Sequence, residues 1–224
     1  MAIITDYTTL TQAIKDKAED DGGEFSSYIP VAIQNAEDRL FRDLDLPELQ
    51  ENVTGTLSEG DYLLSKPSGY RFAEHFIVVR DTERRVLKKK KESFIQDFWP
   101  QPDVLKDVPK YYCDKDLTQF LIAPTPEDDY TYIIKFTKEP QKLSTTNTTN
   151  YFIEKCQDIL FTACMWEMTQ FMKAWDQLTV YQTDYTALKD AWNVEASRYR
   201  RDGESVPMSP SGGNTIKHTV QTGA

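Results

Sequence analysis

Between positions 159 and 168 the chain reads Ile-Leu-Phe-Thr-Ala-Cys-Met-Trp-Glu-Met. At helical spacing this run places apolar side chains around nearly the whole circumference. A helix with no face to give to water must be covered on several sides. The pattern extends from Phe152, Ile153 and Cys156 through Phe171 and Met172 to Trp175, and Thr149 or Asn150 supplies a cap at its start. Its cover must come either from the other helices of the same chain or from neighbouring copies. Three further helices are a thin supply, which favours neighbours.

Those further helices are readable. Ile3, Tyr7, Leu10, Ile14 and Ala18 recur at helical spacing, and the run Glu19-Asp20-Asp21-Gly22-Gly23 ends them. Acid at a helix C-terminus opposes the dipole, so that end is expected to fray. Ile29, Ala32, Ile33, Ala36, Leu40 and Leu44 mark a second helix, with Pro30 expected in its first turns and Pro47 after its end. Leu178, Tyr181, Tyr185, Leu188, Trp192, Ala196 and Tyr199 form one apolar stripe, which predicts a long last helix over 176–201.

From 52 to 139 the period changes from helix to strand. Short β-rich runs are predicted at 53–57, 75–79, 85–89, 110–114, 119–123 and 130–138. Turn signals such as Glu59-Gly60-Asp61, Pro67-Ser68-Gly69 and Pro124-Thr125-Pro126 separate them, and 81–84 reads as a hairpin tip. A short helix is predicted over 92–99. The expected fold class is therefore mainly α with a β insertion (α+β). It is a four-helix bundle (1–50 and 150–201) with a small β-rich insertion (51–139) between its second and third helices. The body ends at 201, and 202–224 is an extended arm.

That arm holds Gly203, Pro207, Pro210, Gly212, Gly213 and Gly223 among Ser, Thr and Asn. It buries too little apolar surface to offset its ordering entropy, so it is read as flexible. Its 23 residues would reach about 75 Å if extended. Val206, Pro207, Met208, Ile216 and Val220 are its apolar points, with His218 between the last two.

The net charge of −10 excludes a general DNA binder, since non-specific affinity grows with cations that neutralise phosphates. No apolar run approaches the length of a membrane helix, and the first ten residues lack a secretory pattern. Synthesis and retention in a cytoplasm are expected, with Cys113, Cys156 and Cys164 as reduced, mostly buried thiols. His75 and His218 have no partner for nucleophilic or metal chemistry. Gly22-Gly23 lacks the strand and lysine of a phosphate loop. The clusters 19–21 and 127–129 read as solvated loop charge. No catalytic constellation, cofactor site or metal site is nominated.

Two polar features stand out. Glu167 lies on the side of its helix that also holds Leu160, Cys164 and Phe171, so it needs a partner or a wet interface. An arginine from a neighbouring copy would serve. The run Lys88, Lys89, Lys90 and Lys91, just after Arg84 and Arg85, has two readings. It touches DNA backbone or a tail protein, or it guards a sheet edge against unwanted pairing.

Several stretches occur in an order that resembles tailed-phage head-to-tail adaptor proteins, especially those of short-tailed phages. They are Phe120-Leu121-Ile122-Ala123 running into Pro124-Thr125-Pro126, then Tyr130-Thr131-Tyr132-Ile133-Ile134 and Glu139-Pro140-Gln141-Lys142-Leu143-Ser144. Thr148-Thr149-Asn150-Tyr151-Phe152 follows, then Ala163-Cys164, Phe171-Met172-Lys173 and a closing Arg198-Tyr199-Arg200-Arg201-Asp202. The likeness spans roughly 52–202. It implies a ring of copies, usually dodecameric, in the virion neck beneath the portal protein. The C-terminal arms enter the portal, the lower face receives a tail nozzle or tail-tube protein, and DNA passes through the lumen without specific binding. On this reading the arm residues Val206, Pro207, Met208, Ile216, His218 and Val220 bind the portal. Trp166, Glu167, Phe171, Arg198 and Arg201 are candidates for subunit contacts. The alternative is another non-enzymatic virion part, such as a tail-completion or capsid-associated protein.

Overall fold

A computed structural model describes residues 4–203, with side chains to residue 198. Helices α1 (Tyr7–Ala18) and α2 (Gly23–Asp43) come first, followed by a 3-10 turn at Pro47–Leu49. Strands β1 (Gln50–Leu57), β2 (Leu63–Ser65), β3 (Tyr70–Arg80), β4 (Glu83–Val86) and β5 (Lys88–Lys89) lead to α3 (Glu92–Phe98). Then come β6 (Lys106–Asp107), β7 (Tyr111–Asp114), β8 (Gln119–Ala123), β9 (Thr125–Pro126) and β10 (Tyr130–Lys138). Three helices complete the described residues: α4 (Tyr151–Lys155), α5 (Gln157–Phe171) and α6 (Trp175–Gly203).

Two cores result. The first is helical. Leu10 and Ile14 of α1, Ile29, Ile33 and Leu40 of α2, Ile153 of α4 and Ile159, Leu160 and Cys164 of α5 are all sealed from solvent. The second lies between two four-stranded sheets, ordered β1-β10-β3-β4 and β2-β8-β7-β5. Phe76 and Val78 of β3 and Ile134 and Phe136 of β10 meet Tyr112 of β7 and Phe120 and Ile122 of β8. Alternation puts the intervening Cys113, Leu121 and Ala123 on the far side of the second sheet, where Ile95 of α3 covers them. A short parallel pair, β6 and β9, forms the third sheet.

This architecture overturns the expected four-helix bundle with a small insertion. The described residues hold six α-helices and ten strands in three sheets, and the β part has a core of its own. The reason is visible in β8. Phe120, Leu121, Ile122 and Ala123 are all buried, so that strand needs a layer on each face and cannot hang as a hairpin on a bundle.

Smaller corrections follow the same logic. The helix expected from 150 to 175 is two, α4 and α5, parted at Cys156. Trp175 belongs to α6, which runs past the predicted end to Gly203. Pro30 sits inside α2 rather than in its first turns, because the helix starts at Gly23. Its ring is exposed, and it offers no N–H to the carbonyl of Ser26. The acidic end of α1 stops cleanly at Glu19, which takes a left-handed conformation with φ 54°. The predicted strand 85–89 is divided between sheets: β4 pairs with β3, and after the buried Leu87, β5 pairs with β7. Neighbouring copies are not needed to cover α5. Helices α1, α2, α4 and α6 of the same chain pack on it and leave Ile159, Leu160, Ala163, Cys164 and Met168 with no exposure.

Candidate assembly surfaces

A chain of polar and aromatic side chains holds α2, α5 and α6 together. Arg39 of α2 donates from Nη2 to Glu167 Oε1 on α5, and its guanidinium lies 3.7 Å from the ring centre of Trp166. Trp166 meets Tyr185 of α6 edge to face at 5.3 Å, and the Tyr185 hydroxyl donates to Asp43 Oδ2 at 3.1 Å. The arginine expected from a neighbour is thus supplied by the same chain. Phe171 stacks on Tyr28 of α2 at 4.3 Å, within 13° of parallel. Arg39 was legible in principle. It follows Ala32 and Ala36 on the apolar face of α2, and Asp43 comes four residues later.

The far end of α6 is fastened where α2 stops. Asn193 Oδ1 accepts from the Asp45 amide at 3.1 Å, and Asn193 Nδ2 donates to the Asp43 carbonyl at 3.4 Å. A groove lies on each side of this clasp. One, of about 430 Å³, is lined by Leu46, Pro47, Tyr151, Trp192 and Ala196 and by the exposed Arg198. The other, of about 390 Å³, lies against Arg71, Phe72, Asn193 and Ser197. Along its outer side α6 leaves Trp175, Val180 and Val194 in solvent. The side chain of Arg201 and the arm residues Val206, Pro207, Met208, Ile216, His218 and Val220 lie outside the described residues.

The lysine run lies on an edge. β5 is the outermost strand of the second sheet, and Lys88 and Lys89 sit in it. Lys89 pairs with Asp114 at 2.5 Å, and Lys90 Nζ lies 5.0 Å from the Phe94 ring. Two of the three carboxylates at 127–129 are ion-paired rather than merely solvated. Glu127 and Asp128 pair with Arg80 at 3.4 Å and 2.6 Å.

Buried chemistry is sparse. Cys113, Cys156 and Cys164 are buried and unpaired, and burial pushes the Cys156 thiol up to about 12. Glu37 of α2 is 3% exposed. It accepts from the Leu143 amide at 3.1 Å and from Asn150 Nδ2, which pins the connector between β10 and α4 to the bundle. Burial pushes its carboxyl up to about 7. His75 is exposed on β3. Among the described residues no three His, Cys, Asp or Glu side chains gather as metal ligands would, and no helix is long and apolar enough to cross a membrane.

Among the described residues the features that stand out are the clasps between helices and the grooves beside them. No curated protein matches the chain. A family model described as SU10 adaptor protein matches residues 5–210, helical body and sandwich together, and the chain accordingly belongs to that family of phage head-to-tail adaptors.

Proposed function

We propose that this virion protein forms a ring, dodecameric as the resemblance implies, that sits in the neck between portal and tail. The segment 204–224 is its portal-binding arm, and the lower face of the ring receives the tail. The observation that supports this reading is α6. It is 29 residues long, spans about 44 Å, and is clamped to the body by Tyr185 and Asn193. A helix held so firmly fixes where its last turn points. It delivers the following segment at a defined place in every copy.

Arms presented together by a ring raise one another's effective concentration, so each can be weak alone while the assembly holds. The net charge of −10 suits a channel that DNA must slide through, since carboxylates facing the lumen repel phosphate. Arg198, beside the groove at the end of α6, is the contact proposed for a neighbouring subunit, and its exposure supports that reading. The test is truncation after Gly203. The shortened chain keeps the melting temperature of the full one, and co-elution with the portal protein of the same genome is lost. Portal binding that survives truncation overturns the assignment of the arm.

A further inference from the structure

We propose that the outer face of the sandwich, where α3 borders the β5–β7 edge, docks an acidic polypeptide segment that also carries apolar side chains. This goes beyond the neck assignment and does not depend on it.

The charge of the chain is unevenly spread. Positions 80–91 hold seven of its 26 cations and two of its 36 acids. Arg80 and Lys89 are spent on Glu127, Asp128 and Asp114. Arg84, Lys88 and Lys91 are exposed with no ion-pair partner among the described residues. A concentrated cationic strip on an otherwise acidic body selects an anionic partner.

The same strip runs into exposed apolar surface. Lys91 precedes the first turn of α3 in extended conformation, and Phe94 and Phe98 follow four residues apart on one side of that helix. Phe94 and Phe98 meet at 4.7 Å, and Phe94 and Trp99 each close on Tyr111 at 5.4 Å and 5.5 Å. Lys90 is held over two of these rings, 5.0 Å from Phe94 and 5.9 Å from Tyr111. Phe98 is 61% exposed, and beyond it Val104 is 71% and Leu105 43% exposed. The aromatic cluster, with further exposed apolar side chains six and seven residues along the chain from Phe98, marks a contact site.

The apolar half decides the class of partner. Duplex DNA would neutralise the lysines and leave Phe98, Val104 and Leu105 wet. A base could stack on Phe98, but the aliphatic pair offers nothing to a base. A polypeptide can satisfy both halves. Asp97 borders the stripe beside Phe94 and Phe98, so carboxylates are accepted at the Lys88–Lys91 end and apolar side chains at the other. The fitting segment has its acids at one end and its apolar residues at the other.

Fluorescence anisotropy of the full chain tests this with four labelled probes. They are a synthetic peptide with a Glu/Asp half and a Leu/Phe half, an all-Glu peptide of equal length, a single-stranded oligonucleotide and a duplex. The two-part peptide binds most tightly, and Phe98→Ser and the pair Lys88→Glu, Lys91→Glu each weaken it about tenfold. Tighter binding of either oligonucleotide overturns the proposal. So does all-Glu binding as tight as that of the two-part peptide, or no binding by any probe. Thermal melts check that the variants fold. If Phe98→Ser lowers the melt, Val104→Ser replaces it, and an unchanged affinity then counts against the proposal.

Discussion

The guanidinium of Arg39 sits over the indole of Trp166, 3.7 Å from its ring centre, while bonding Glu167, the next residue along α5. Adjacent residues on a helix point about 100° apart, so one arginine can engage both only by lying across the α2–α5 seam. This fixes the rotation of α5 against α2. Through the Trp166–Tyr185 contact it also sets the line of α6.

Breaking this pair by one partner leaves a charge buried without compensation. Arg39→Met or Glu167→Leu alone should each cost about 3 kcal/mol, whereas the two together should recover most of the loss. Urea unfolding of the four variants in a double-mutant cycle measures the coupling. Additive single losses would show that Arg39 and Glu167 do not act as a pair.

The turn between α5 and α6 has the hydrogen bonds of a Schellman motif without its glycine. The Ala174 amide donates to the Thr169 carbonyl at 3.0 Å and the Lys173 amide to that of Gln170 at 3.1 Å, while Lys173 takes φ 57°. A left-handed lysine is strained by about 1 kcal/mol. Relief of that strain, set against about 0.4–1 kcal/mol for a freer unfolded chain, should make Lys173→Gly at most about 0.5 kcal/mol more stable. Lys173→Ala should change little. Melting temperatures of the two variants decide it.

The helices were legible because their stripes are long. Tyr185 and Ala196 are buried and Tyr181, Leu188 and Trp192 half-buried along a stripe that the spacing alone picks out. The sandwich was not, for two physical reasons. Strands such as β2, β6 and β9 have two or three residues, too few to show a period of two. In β8 both faces are buried, so alternation vanishes where the sheet is most central. The chain reversal after Phe171 was hidden as well, because Lys173 fills the position that glycine usually announces. Of the candidate surfaces, the lysine run was plain as charge. The aromatic cluster beside it was not, since Tyr111 joins Phe94 and Trp99 only through the fold.

Burial should make the three thiols slow to react. It raises Cys113, Cys156 and Cys164 above the ordinary thiol range, with nearby carboxylates adding to the effect. The thiolate is the reactive form. An aromatic disulfide reagent at pH 8 should therefore label none of them in the native protein over minutes, and all three in denaturant. Rapid native labelling of any one would place that cysteine at the surface.

Glu37 should leave a mark on the pH dependence of stability. Its carboxyl titrates near 4.5 when unfolded and at about 7 when folded, chiefly because burial disfavours the charge. Asn150, the Leu143 amide and Lys142 pull the other way, and Asp38 adds to the rise. A raised folded value means that the folded state holds its proton more tightly. The contribution is therefore fully present below pH 4.5 and declines as pH rises towards 7. It is level beyond that, with a total change of about 3 kcal/mol. Other carboxylates titrate in the same range, so the quantity to measure is the difference between the native chain and Glu37→Gln. The side-chain amide of that variant keeps an acceptor for the Leu143 N–H and cannot ionise. Denaturant midpoints from pH 4 to 8 should show the native chain losing stability relative to Glu37→Gln between 4.5 and 7. Parallel curves would mean that Glu37 keeps its ordinary value in the folded protein, and that water reaches the connector it pins.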